Sequence, residues 1–268
     1  MDLKKDKNDK TKRKPYRKSK MKTLFFKIIR YLVWVFYPEI EAVGQKSLPD
    51  EPCAIIANHT QLHGPIACEL YLPDDCYTWC ASQMMESKEV PAYAYQDFWS
   101  QKPKALRPFF RLVSYIIAPL SVNIFNNART IPVYRDSRSL TTFKDSVLKL
   151  QDGKNIVIFP EQDVEHNNII YEFQEGFVDI ARLYYKRTGK ELLFVPLYIA
   201  PKLKKMYFGK PIKFSVATPI AEERRRICDY LMNEITDIAR SLPEHTVIPY
   251  RNIPKRLYPK NTYKELIE

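Results

Sequence analysis

The stretch Ala54–Pro65, AIIANHTQLHGP, opens with four apolar residues, Ala54-Ile55-Ile56-Ala57, enough for a short buried strand. It then breaks into Asn58-His59 and turns at Gly64-Pro65. A histidine delivered by the end of a buried strand is held rigidly yet can face a cleft, which suits a general base. The alternative is a core histidine bonded to a carbonyl. Features on either side of the stretch bear on that choice.

From Glu39 onward, short apolar runs alternate with helical patterns. Strands are expected at 39–43, 53–57, 77–80, 130–134, 155–159, 192–197, 204–208 and 212–214. Helices are expected at 66–72, 93–99, 105–117, 137–151, 176–187 and 221–241. In the fourth, Leu140, Phe143, Val147 and Leu150 share one face and Gly153 supplies the stop. The pattern predicts a single α/β domain over 39–244 with a mixed, largely parallel sheet flanked by helices. The remaining 245–268, rich in proline and charge, is expected to lie on the surface.

The net charge of +12 is unevenly spread: residues 1–22 carry eleven Lys/Arg against three Asp, so eight of the twelve charges lie there. Residues 1–20 read as a disordered basic tail. The stretch 21–38 reads as an amphipathic helix, with Leu24, Phe25, Ile28, Leu32 and Val35 on a wide apolar face and Lys22, Lys27 and Arg30 at its edge. Because Lys27 and Arg30 interrupt the run, it is expected to lie in the plane of an anionic membrane surface rather than span it. A helix packed on the domain's own core is the other reading. With one aromatic in the tail and no docking module, no nucleic-acid partner is expected. Residues 112–125 carry no charge and contain Pro119. They are too short to span a bilayer and read either as buried helix–turn–helix or as a second membrane-dipping patch. Five cysteines without a CxxC pair argue against a disulfide framework or zinc site and for a reducing compartment.

Four strand ends carry unusual residues: Asn58-His59, Arg135, Pro160-Glu161 and Pro196. Ligands of open α/β sheets bind beyond the carboxyl ends of strands, so these are expected to converge. A histidine to remove a proton and an arginine to hold a phosphate or carboxylate suit an anionic, hydroxylated substrate.

In order and spacing, Asn58-His59, Thr130-Ile131-Pro132-Val133-Tyr134-Arg135, Phe159-Pro160-Glu161, Val195-Pro196 and the later Gly209-Lys210-Pro211-Ile212 resemble the motifs of the glycerolipid acyltransferase family, which contains the lysophosphatidate acyltransferases. The resemblance covers roughly residues 39–241. It implies transfer of an acyl chain from acyl-CoA or acyl carrier protein to a hydroxyl of a lysophospholipid or related acceptor, on the cytoplasmic face of a membrane. It implies no cofactor beyond the acyl donor and no metal. His59 would be the base, Arg135 would hold the acceptor's phosphate, and Glu161 would lie on the acceptor side with Asn58, Pro160 and Pro196 lining the cleft.

The chain departs from the motifs at two places. Gly64 stands five positions after His59, where the family has an aspartate; Gln162, Asp163 and Val164 replace the Gly-Thr-Arg of the third motif. A catalytic histidine without an orienting carboxylate can adopt the wrong tautomer, which in serine protease triads costs about 10⁴ in rate. Asp163 or Glu161, and less so His63, is expected to replace the aspartate at a His59 ring nitrogen. A relative that binds lipid or acyl chains without transferring them is the alternative function. A metal pair of His59 and His63 with Glu69 is a further reading, weakened by Thr60 at the position a zinc protease fills with glutamate and by Pro65.

Overall fold

The structure is a computed structural model, and it describes residues 20–99 and 103–262. The expected basic tail, apart from Lys20, lies outside the described residues. The strands are β1 (Glu41–Val43), β2 (Cys53–Ala57), β3 (Cys76–Ala81), β4 (Thr130–Val133), β5 (Asn155–Ile158), β6 (Glu161–Glu165), β7 (Tyr171–Phe173), β8 (Leu193–Ala200), β9 (Lys205–Phe208) and β10 (Ile212–Lys213). The α-helices are α1 (Lys20–Phe36), α2 (His63–Tyr71), α3 (Val90–Ala94), α4 (Arg107–Asn127), α5 (Ser139–Gln151), α6 (Asp179–Thr188) and α7 (Ile220–Ser241).

The main sheet runs β1-β9-β8-β2-β5-β3-β4, with β10 also pairing β8. Only the β8–β9 and β8–β10 pairs are antiparallel; β2 runs parallel to both its neighbours, β5 and β8. This is the mixed, mostly parallel sheet that the alternating pattern predicts. All five residues of β2 are buried, as a strand covered on both faces requires. Its side chains alternate between two cores. Ala54 and Ile56 join the face covered by α5, α6 and α7, with Val147, Ile180 and Ile235; Cys53, Ile55 and Ala57 join the face covered by α2, with Ala67 and Cys68.

The sequence misses the β6–β7 hairpin, because EQDVE has no apolar alternation and YEF alternates over only three residues. The hairpin hangs from the carboxyl end of β5, and Glu161 anchors it (below). Pro196 also falls elsewhere than expected. It lies inside β8, opposite Ile56, four residues short of the strand's end at Ala200. It sits where the other edge of β8 passes from β10 to β9, and its carbonyl accepts the Gly209 N–H at 2.9 Å. A ladder is interrupted there in any case, which is where an interior strand tolerates proline.

Helix α4 corrects a second expectation. It continues through Pro119 to Asn127, and Lys104–Asn127 is long and apolar enough to cross a membrane, although the sequence reading held this region too short. Its buried residues are small or polar, Ser114, Ala118, Ser121 and Asn123. Ser121 Oγ donates to the Met84 carbonyl at 2.9 Å and Asn123 Nδ2 to the Lys22 carbonyl at 3.1 Å. Its opposite face exposes Phe109, Leu112, Tyr115 and Ile116. Helix α1 is built the same way. It buries no residue, is tied inward by Thr23 to Asn127 (3.4 Å) and by Arg30 to Glu69 (3.3 Å), and exposes Leu24, Phe25, Ile28, Leu32 and Trp34. Each helix turns polar and buried or half-buried apolar residues to the protein, Phe26, Ile29 and Val33 in α1 and Ile117, Ala118 and Val122 in α4, and still leaves a broad apolar face exposed.

Gly209, between β9 and β10, allows the sheet to approach α7. A Cβ there would stand 2.8 Å from both Ile238 Cδ1 and Pro196 Cγ. Gly209→Ala is expected to destabilise the domain by about 1–3 kcal/mol, the usual cost of overpacking, as read by urea denaturation.

Candidate active site

Three of the four predicted strand ends leave the sheet on the same side. Asn58-His59 follows β2, Phe159-Pro160-Glu161 follows β5, and Arg135 follows β4, all parallel strands leaving from the same side. Between the axes of β2 and β4 lie three strand spacings, roughly 14 Å. Pro196 is absent from this group for the reason given above.

Asn58 is 2 % exposed, and its amide extends the β2–β8 ladder by one rung. Nδ2 donates to the Ile199 carbonyl at 3.1 Å, and Oδ1 accepts the Ile199 N–H at 2.7 Å. Its bonds are thus spent on the sheet rather than offered to a substrate. Thr60 and Gln61 follow with φ of 46° and 56°, left-handed backbone unusual for side-chain-bearing residues. Two such residues in succession reverse the chain sharply, so that α2 begins at His63 rather than at Ile66, with Pro65 in its first turn where proline is tolerated.

Glu161 is fully buried and holds this turn. Oε2 accepts the main-chain N–H of His59 at 2.5 Å, and Oε1 accepts that of Tyr171, in β7, at 3.0 Å. Burial pushes its carboxyl up to about 7, against the pull of those two donors. Both oxygens therefore serve the main chain, and neither bonds the His59 ring. Asp163 is also turned away: it is exposed and forms an ion pair with Arg251, Oδ1 to Nε at 3.0 Å. His63 has Nδ1 3.1 Å from the Tyr37 hydroxyl. None of the three residues expected to replace the missing aspartate bonds a His59 ring nitrogen.

What surrounds that ring is aromatic. The Phe159 ring lies edge-on at 5.1 Å and the Tyr250 ring at 5.8 Å, with interplanar angles of 65° and 85°. Nδ1 is buried and makes no hydrogen bond. Burial lowers the imidazole to about 4, and the Gln61 main chain opposes this only in part. His59 is thus neutral at physiological pH and only partly exposed at the strand end.

Gly64 explains why no carboxylate sits here. A Cβ at this position would overlap the His59 carbonyl oxygen and stand 3.0 Å from Phe159 Cε1. The turn closes on itself where the aspartate would begin, and Phe159 fills the space.

Arg135 is exposed, and among the described residues no ion pair or hydrogen bond of its side chain occurs. Its charge acts on Asp97 and on the phenols of Tyr93 and Tyr250. The free guanidinium fork is a suitable clamp for a phosphate or carboxylate. Pro160 is buried and its carbonyl accepts the Gln174 N–H at 2.9 Å, leading β5 into the hairpin. Glu69 is engaged by Arg30 and Arg129, and no cluster of three metal-ligand residues occurs among the described residues.

The sequence reading missed Tyr250, Phe159 and Gln61. Phe159 was visible within the Phe-Pro-Glu motif, but only as part of the motif. Nothing in the local pattern around Tyr250 ties it to a residue almost two hundred positions earlier.

No protein-family model matches the chain, and no curated protein matches it in sequence. Among solved structures it is similar to the crystal structure of the 1-acyl-sn-glycerophosphate (LPA) acyltransferase, PlsC, from Thermotoga maritima. The identity is 15%, the match covers 82% of this chain and 78% of that one, and the TM-score is 0.43, a weak relationship at the level of fold.

Gly64→Asp would place an aspartate five positions after His59, but it is not expected to build a His–Asp pair. A new acid in the first turn of α2 gains at most about 1 kcal/mol from the helix dipole. Overlap with the His59 carbonyl costs about 1–3 kcal/mol. The variant should melt below the wild type, with no rise in activity.

Proposed function

We propose that the chain is a membrane-surface acyltransferase that moves an acyl chain from acyl-CoA or acyl carrier protein to a hydroxyl of a lysophospholipid or related acceptor. The observation that carries this reading is His59: a neutral, partly buried imidazole at the carboxyl end of a central parallel strand, with the exposed guanidinium of Arg135, unpaired among the described residues, on the same side of the sheet. Arg135 would hold the acceptor's phosphate. The acceptor hydroxyl would attack the thioester carbonyl and pass its proton to His59. Collapse of the tetrahedral intermediate would expel the thiolate, which takes that proton and leaves as the free thiol. A base lowered to about 4 has little driving force for a prior proton transfer, so the proton would move together with the attack.

The outward apolar faces of α1 and α4 support a membrane partner. Phe36 is 84% exposed, Tyr115 68% and Ile116 64%, among many others. So much exposed apolar surface on two neighbouring helices exceeds what an ordinary soluble monomer shows. Because Ser121 and Asn123 bind α4 into the protein, α4 would lie in the membrane plane beside α1 instead of crossing alone. The basic residues of the tail would add attraction to the anionic, cytoplasmic leaflet.

A second reading, a relative that binds acyl chains or lipids without transfer, is favoured by the unbonded Nδ1 and by Gly64. One experiment separates the two. Acyl-CoA and acyl carrier protein donors are offered with a panel of phosphorylated and unphosphorylated lysolipids to the wild type and to His59→Ala. An enzyme loses at least 10²-fold in transfer on His59→Ala, the size of a general base's contribution. A binding protein shows no transfer in either form and keeps its lipid affinity.

A further inference from the structure

Beyond α7 the chain crosses back over the strand ends, and it is fixed there more firmly than its proline-rich composition suggests. His245, Val247, Ile248 and Asn261 are buried. Asn261 Oδ1 accepts the His245 N–H at 2.8 Å and its Nδ2 donates to the Ala239 carbonyl at 2.8 Å, while the His245 ring bonds the Tyr198 hydroxyl at 2.8 Å. Thr246 bridges Lys260, so residues 245–261 form a closed loop with both ends held to the domain. The loop's middle comes down on the turn that carries His59. Gln61 Nε2 donates to the Tyr258 hydroxyl at 3.0 Å and to the Arg251 carbonyl at 3.3 Å. Arg251 pairs with Asp163 of the hairpin, and the Tyr250 ring lies 5.7 Å from that of Tyr171 and 5.8 Å from that of His59.

The His59 ring thus has Phe159, just past β5, on one side and Tyr250 of the strap on another, no hydrogen-bond partner on Nδ1, and only the Gln61 main chain acting on it besides. An imidazole with a free ring nitrogen keeps a fixed orientation only if packing holds it.

We propose that Tyr250 is a positioning residue: its ring, latched in place by Gln61, Tyr258 and Arg251, wedges the His59 imidazole against Phe159 and so fixes by packing what a carboxylate would otherwise fix by hydrogen bonding. The catalytic part of this assignment rests on the reading of His59 as the base. The wedge stands on geometry alone. Around it, Glu161 lies under the His59 main chain, the Tyr171 phenol and the Asp163–Arg251 pair flank the strap, and Arg135 and Asp97 act on Tyr250 from the far side. The device implies that the C-terminal segment belongs to the site and that the ring's burial depends on it.

The test uses the full chain, whose four histidines allow the His59 ring to be assigned through His59→Gln and followed by NMR titration. Tyr250→Phe keeps the wedge and should titrate as the wild type does. Tyr250→Ala lets water reach one face, so the His59 midpoint should rise by at least one pH unit toward its ordinary value. Gln61→Ala, which cuts the latch without touching the ring, should give a smaller rise and keeps the test open if Tyr250→Ala does not fold. In transfer assays, Tyr250→Ala should lower kcat at least tenfold with little change in KM, while Tyr250→Phe stays within threefold. Unshifted titration in both Tyr250→Ala and Gln61→Ala overturns the wedge, and an unchanged kcat in Tyr250→Ala overturns its role in turnover. Absence of transfer in the wild type would instead overturn the acyltransferase reading, and the titration would still decide the wedge.

Discussion

The buried carboxylate of Glu161 joins two parts of the molecule that no other bond brings together so directly: the end of β2 at His59 and the β6–β7 hairpin at Tyr171. Burying a carboxylate is expensive, and the push of its pKa to about 7 records that expense. Hydrogen bonds to a charged group contribute about 1.5–3 kcal/mol each, so two main-chain donors offset much of it. Leaving both N–H groups unpaired in the core would cost a comparable amount. With Glu161 in place, the main chain at His59 is fixed, the left-handed Thr60-Gln61 turn can close, and Gly64 comes up against the His59 carbonyl. The crowding at Gly64 follows from that geometry. So does the absence of a carboxylate beside the ring.

Two consequences run in opposite directions. A closed, aromatic-walled turn keeps the imidazole neutral and rigid, which a base needs. The same burial weakens it as a proton acceptor, so turnover would rely on positioning more than on basicity. The surface helices pose a related conflict: polar bonds and half-buried apolar contacts hold them to the protein, and each still leaves a broad apolar face exposed. A bilayer interface would cover that face.

Much of the fold was legible because both periodicities were strong. The fully apolar β2, the largely apolar β5 and the amphipathic α5 and α7 leave few alternatives, and their boundaries fall within two residues of those expected. The hairpin was not legible, since β6 is mostly polar and exposed and β7, though it buries Tyr171 and Phe173, is only three residues long. Helix α4 was read too short because Pro119 marks a stop in water-facing sequence, whereas here the helix continues past it. At the site, residue type and strand-end position located His59, Glu161 and Arg135. Pairwise roles were not readable. Whether a carboxylate faces a ring or a main-chain N–H depends on backbone conformation at Thr60 and Gln61, and contact with Tyr250 depends on where a proline-rich strap is tied down.

The central claim is that His59 is a neutral base whose ionisation has been driven far below that of a free imidazole by burial. The pH dependence of kcat/KM for acyl transfer tests it most directly, because that quantity reports the free enzyme's essential groups. With a folded value near 4, the limb that belongs to His59 should halve the rate close to pH 4, well below the Glu161 carboxyl near 7, and should persist in Glu161→Gln. In Glu161→Gln, a limb that halves near pH 6.5 or above, as for an exposed or a carboxylate-paired histidine, would contradict the account.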